Sequence, residues 1–132
     1  MRLQGEDGVV AIEFAIVLPI LLLIMFGIIE FGFVLFEKQV ITNASREGAR
    51  AGIVQAAPKP SEVNIQDVVK AYLNGAGLAE ASATIDVTGE ELAHPNDLTV
   101  TVQYPYTFLV LSRLTGGSPS LTLSATTIMK HE

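Results

Sequence analysis

Hydrophobic and polar positions fall into three rhythms along the chain. Residues 9–36 have none: nearly every position is apolar, and the only ionisable residues are Glu13 and Glu30. A hydrocarbon core of ~30 Å needs about 20 helical residues at ~1.5 Å each, so this run predicts a membrane-spanning helix. It flows into Glu37-Lys38-Gln39 without the small-x-small site that closes a secretory signal peptide, and is expected to stay in the mature protein. Beyond it the helix becomes amphipathic and is expected to reach Ala57. Pro58-Lys59-Pro60 then ends it, because proline lacks an N–H and blocks the preceding turn.

The second rhythm is helical. Ile65, Val68, Val69, Tyr72 and Leu73 recur at i, i+3, i+4, i+7 and i+8, marking one face of a short helix. Ser61 or Asn64 is expected to cap its start and Gly75 its end. The third rhythm has period two. Ile85 and Val87, then Leu98, Val100, Val102 and Tyr104, then Leu121, Leu123 and Ala125 alternate with polar neighbours and read as three half-buried strands. Residues 105–120 carry no readable element. The fold class predicted is α+β: a long N-terminal transmembrane and amphipathic helix, a short helix, and a small three-stranded antiparallel sheet. The divisions are a leader at 1–8, the long helix at 9–57 and an α+β domain at 58–132.

Composition sharpens this division. The chain of 132 residues is 49% hydrophobic and only 17% charged, with a net charge of −6. From Pro58 onward eight acids face four bases. An acidic domain of this kind argues against nucleic acid or an anionic membrane surface as its partner. There is no cysteine, so disulfide and thiol chemistry are excluded.

Glu13 is the costly residue. A carboxylate in hydrocarbon costs roughly 2.5–3.5 kcal/mol on insertion scales, and such residues usually have a compensating partner. Cleavage after Gly8 would give Val9 a free α-ammonium at i, with Glu13 at i+4 on the same helical face. Glu13 of the same chain, or of a neighbour displaced along the axis, would then neutralise it. Placement at headgroup level, or a protonated carboxyl, is the other reading, and physics leaves both open.

Further along, Pro19 removes the donor for the carbonyl of Ala15, which predicts a kink or local loosening; a tolerated membrane proline is the alternative. Glu30 falls near the outer end of the span, where it is expected to reach the interface rather than a specific partner. Ala44, Gly48 and Gly52 repeat every four residues and permit close approach, with the chain's own sheet preferred over another helix as the partner. Lys38, Thr42, Arg46 and Arg50 form a separate row, read as a solvated face.

Enzymatic chemistry is not expected. No His-Glu-x-x-His or other metal-ligand spacing is present, and Asn74-Gly75-Ala76-Gly77 lacks the third glycine of a nucleotide loop. His94 and Asp97 share a turn, but no nucleophile accompanies them. Neither cofactor nor metal, nor a small-molecule substrate, is anticipated.

Gly8 followed by four mostly apolar residues and then Glu13-Phe14 resembles the processing site of type IV prepilins. Gly27-Ile28-Ile29-Glu30-Phe31-Gly32 and Asn43-Ala44-Ser45-Arg46-Glu47-Gly48-Ala49-Arg50 resemble the signature blocks of TadE-like proteins, minor pilins or pseudopilins of the tight-adherence (Tad, or Flp) pilus system. Tyr104-Pro105 after a Thr/Val-rich strand, and the closing Ser-Ala-Thr-Thr-x-Met-Lys-x-Glu, are also similar. The resemblance implies a pilin-like fold, cleavage after Gly8 by the prepilin peptidase, and assembly with other minor pilins or the major pilin. It implies a single-pass inner-membrane protein with a periplasmic domain, serving pilus biogenesis, surface adhesion and biofilm formation. Glu6 and Asp7 beside the cut depart from the usual basic leader. Arg2 against Lys38, Arg46 and Arg50 would by charge alone place the N-terminus outside; orientation is therefore taken from the resemblance. An uncleaved, signal-anchored interaction module unrelated to filaments is the alternative.

Overall fold

The computed structural model describes residues 4–54, 60–89 and 97–130. A helix of 49 residues, α1 (Gln4–Gly52), leads the chain. It is followed by α2 (Glu62–Gly75), a 3-10 turn (Glu80–Ser82), strands β1 (Thr84–Thr88) and β2 (Asp97–Thr107), a short helix α3 (Leu109–Thr115), and β3 (Ser120–Lys130). The strands form an antiparallel meander in the order β1-β2-β3. This is the α+β arrangement that the alternation predicted. All three strands lie where the period-two runs placed them, and β2 and β3 extend further, to Thr107 and Lys130.

The core lies between two layers. One face of the sheet carries Leu98, Val100 and Val102, all fully buried, beside Leu123 and Ala125 of β3. Against it lie α2, through Ile65, Val69 and Leu73, and the upper half of α1, through Ile41, Ala44 and Ala49. Full burial of one such aliphatic side chain contributes about 1.5–3 kcal/mol, so this contiguous set is what makes a small sheet stable. α1 meets β2 and β3 while α2 covers β1, which places the two helices side by side on one face.

Two boundaries differ from the sequence reading. α1 stops at Gly52, not at Ala57, with the Ile53 N–H still bonded to the Ala49 carbonyl. Two glycines in the last turns, each costing helicity by roughly 1 kcal/mol against alanine, end the helix before the prolines do. Pro58 and Lys59 lie outside the described residues, as do His94 and most of its turn. At the other end, α1 already begins at Gln4, inside the expected leader.

α2 starts as anticipated at Ser61, where the Asn64 side chain accepts the Ser61 backbone N–H at 3.1 Å. Its end is set by Gly77 rather than Gly75. Gly77 adopts φ +83°, and the N–H groups of Gly77 and Leu78 return to the carbonyls of Asn74 and Leu73. That pair of bonds is a Schellman closure, which needs a left-handed residue where glycine carries no Cβ penalty.

Pro105 stands inside the central strand. β1 pairs with β2 only as far as Gln103, so at Pro105 the strand has β3 alone as a neighbour, opposite Thr122. A missing N–H is tolerated on such a free side. The unassigned stretch 105–120 therefore resolves into the end of β2, then α3, then the start of β3.

Candidate functional site

The candidate site is α1 itself, which passes through two environments. Over residues 8–29 every position is exposed except Leu18, which is half-buried. Among the described residues only α3 comes alongside this cylinder, which is about 33 Å long at ~1.5 Å per residue, close to a hydrocarbon core. It is long and apolar enough to cross a membrane. From Glu30 onward one stripe is buried: Glu30, Val34, Ile41, Ala44, Gly48 and Gly52, spaced three, four or seven apart. The anchor and the seat of the domain are thus one continuous helix.

In the exposed half, Gly8, Val9, Glu13 and Phe14 all lie on the open surface of the helix. Among the described residues Glu13 has no hydrogen-bond or ion-pair partner. Among the described residues, a Cβ added at Gly8, Gly27 or Gly32 would meet nothing within 4 Å. The Gly27 and Gly32 positions therefore cost helix propensity without any packing return inside the chain. Phe31 is exposed beside them. α1 runs unbroken through Pro19.

Glu30 departs from its expected place. Rather than standing without a specific partner it is buried, and its Oε1 accepts the backbone N–H of Val110 at 3.1 Å and that of Leu109. These are the first two residues of α3, whose N–H groups have no partner within their own helix. A carboxylate is favoured there, both as an acceptor and by the helix dipole. The Tyr106 hydroxyl donates to the Glu30 backbone carbonyl at 3.4 Å, and the Tyr106 ring meets Phe108 edge-on with centroids 5.2 Å apart. One acid of α1 thereby fixes the whole β2–α3 corner.

The small-residue stripe faces this chain's own domain. A Cβ on Gly48 would come within 2.5 Å of the Val69 side chain, and one on Gly52 would collide with Leu98 and Ile65. Ala44 is fully buried. Beside it lies a group that sequence periodicity did not single out: Ser45 is fully buried, its Oγ 2.9 Å from the Thr42 carbonyl and 2.7 Å from Thr127 Oγ1 of β3. Its signal was only a serine among small residues on a packed face. Of the basic row, Lys38 Nζ donates to the Ser124 carbonyl and Thr42 Oγ1 to the Lys38 carbonyl at 2.7 Å. Arg46, Glu47 and Arg50 are exposed, and Asn43 is half-buried.

Glu37, one helical repeat beyond Glu30, is the other acid on this side. Among the described residues its Oε2 is buried without a hydrogen-bond partner, and burial raises its pKa above the ordinary 4.5. Tyr106 is pushed up as well, first by its own burial and then by the charges of Glu30 and Glu37. Its hydroxyl stays protonated and remains a donor.

In comparison with known families, residues 8–50 match the family model described as TadE-like protein. The match covers the exposed cylinder and nearly all of the seat of the domain, and stops before α2 and the sheet. No curated protein and no solved structure matches the chain.

Proposed function

We propose that this protein is a minor pilin, or pseudopilin, of a Tad-type pilus, anchored by α1 and working in pilus biogenesis through helix-mediated assembly. The observation that carries the reading is the coincidence of the TadE-like match at 8–50 with a helix whose first half is uncovered and whose second half holds a domain. A helix that leaves an apolar cylinder open needs lipid before assembly and other helices after it. Gly27 and Gly32, where an added Cβ would meet no described atom, suit the second environment.

In this reading the prepilin peptidase cuts between Gly8 and Val9, and the new ammonium at Val9 is met by a Glu13 carboxylate. The domain faces the periplasm, and its acidic surface selects other minor pilins or the major pilin. Surface adhesion and biofilm formation follow from the pilus. The protein acts by binding and not by catalysis. Intact mass of the protein from membranes of cells with and without the peptidase tests the cut: loss of residues 1–8 only when the peptidase is present is expected. Retention in both would leave an uncleaved signal-anchored module. Two observations favour that second reading: Glu6 and Asp7 flank the bond, and α1 is already helical there, so the bond must unwind before a protease can hold it.

A further inference from the structure

Among the described residues, α3 is the element of the domain that lies beside the exposed cylinder. Its first two N–H groups meet Glu30. Further along, Val110, Arg113 and Leu114 line a groove with Pro19, Leu23 and Phe26. Pro19, Leu23, Phe26 and Glu30 are spaced four, three and four apart and form one stripe of α1. α3 thus descends from Glu30 towards Pro19, along residues that belong to the span. Three of its leucines remain exposed: Leu109 at 71%, Leu111 at 45% and Leu114, at the edge of that groove, at 63%. Whatever surrounds Leu23 and Phe26 must therefore surround these leucines.

We propose that α3 and its flanking turns are inserted, with the span, into the acyl-chain region of the bilayer leaflet on the domain's side. The inference rests on the anchoring of α1 proposed above. Its independent support is the internal satisfaction of polar groups, which lipid demands and water does not. The Glu30 carboxylate takes the orphan N–H groups of Leu109 and Val110. Ser112 Oγ donates to the Gly117 carbonyl at 2.7 Å and Thr115 Oγ1 to the Leu111 carbonyl at 2.8 Å. The Phe108 N–H reaches the Pro119 carbonyl, closing the base of the loop. Arg113 is long enough to carry its guanidinium up to the headgroups while its stem stays in the apolar layer. The hydroxyls of this corner thus fold back onto its own carbonyls beside three exposed leucines.

The chain has no cysteine, so single cysteines can be introduced at will. Leu111→Cys and Leu114→Cys in the full chain, labelled with an environment-sensitive fluorophore, would be reconstituted into phosphatidylethanolamine/phosphatidylglycerol vesicles. Leu21→Cys, on the exposed cylinder away from α3, and Asp86→Cys, exposed on β1, serve as references. The expected result is blue-shifted emission at 111 and 114, quenching by lipids with a quencher on the acyl chain as at position 21, and resistance to aqueous iodide. Iodide quenching at 111 and 114 equal to that at 86, with position 21 still lipid-quenched, overturns the insertion of α3 alone. Protection from both quenchers also overturns it, in favour of a protein partner on the leucines. Failure of lipid quenching at position 21 overturns the anchoring and this inference together.

Discussion

The carboxylate of Glu30 accepts the backbone N–H of Val110 at 3.1 Å, joining residues 80 apart in the chain. Removing this acceptor leaves two donors of α3 uncapped. Loss of a helix N-cap acceptor costs about 0.5–2 kcal/mol. Glu30→Leu is expected to raise amide exchange at Leu109 and Val110 and to lower the unfolding temperature. Glu30→Gln, which keeps an acceptor oxygen, is expected to lose less. Hydrogen exchange on the full chain in micelles reads both.

The glycines of α1 divide by what lies over them. Gly48→Ala and Gly52→Ala introduce a methyl group against Val69, or against Leu98 and Ile65. Overpacking typically costs 1–3 kcal/mol, which exceeds the roughly 1 kcal/mol of helix propensity that alanine gains. Both are expected to destabilise the domain in thermal melts. Gly27→Ala and Gly32→Ala meet no atom of the described residues and should leave the melting temperature unchanged or slightly higher. A loss of partner recovery in those two, with the fold intact, would locate the surface that assembles.

Glu37 predicts a pH dependence of known sign. Burial raises its pKa in the folded state, so the folded protein holds the proton more tightly than the unfolded chain. As pH rises from below 4.5 through the raised value, its contribution to stability falls, and the deficit persists at neutral pH. Glu37→Gln should flatten this part of the stability-versus-pH profile and raise stability at pH 7. An unchanged profile in the variant would show that the slope belongs to other carboxylates.

Glu13→Leu separates insertion from assembly. Replacing the carboxylate removes an insertion penalty of roughly 2.5–3.5 kcal/mol, so membrane recovery should hold or improve. Co-purification with partner pilins should fall. Normal recovery of partners would show that the carboxylate has no role in assembly.

Much of this fold was legible because its signals are local. The period-two runs around Val87, Val100 and Leu123 located three strands, and Ile65, Val69 and Leu73 located α2 on the face it buries. What escaped the sequence reading depends on partners distant in the chain. The seven residues of α3 have no amphipathic pattern long enough to read, and their first turn is held by an acid of α1. For the same reason Glu30 looked like an isolated charge at a membrane edge: its partners lay in the stretch without a readable element. The end of α1 was misplaced because prolines are loud signals, while Gly48 and Gly52 are explained only by Val69, Leu98 and Ile65 pressing on them. Ser45 is a fourth case, since its bond to Thr127 follows from docking and not from any motif. Among the site residues, Val9 and Glu13 could be paired from their spacing, while Gly8 and Phe14 were named with them through the resemblance to a prepilin processing site.

The continuity of α1 from the open cylinder into the seat of the domain has a rotational consequence. With α1 assigned as one continuous helix through Pro19, and with Ser45, Lys38 and Glu30 tied to β3 and α3, the sheet turns with the part of the helix that carries it. Successive residues of a helix are set ~100° apart, so the side of α1 that meets a neighbour also decides the compass bearing of the domain around it. Contacts made within the apolar layer would in this way dictate which domain surface each subunit shows to the next, with the helix acting as the shaft of a weathervane.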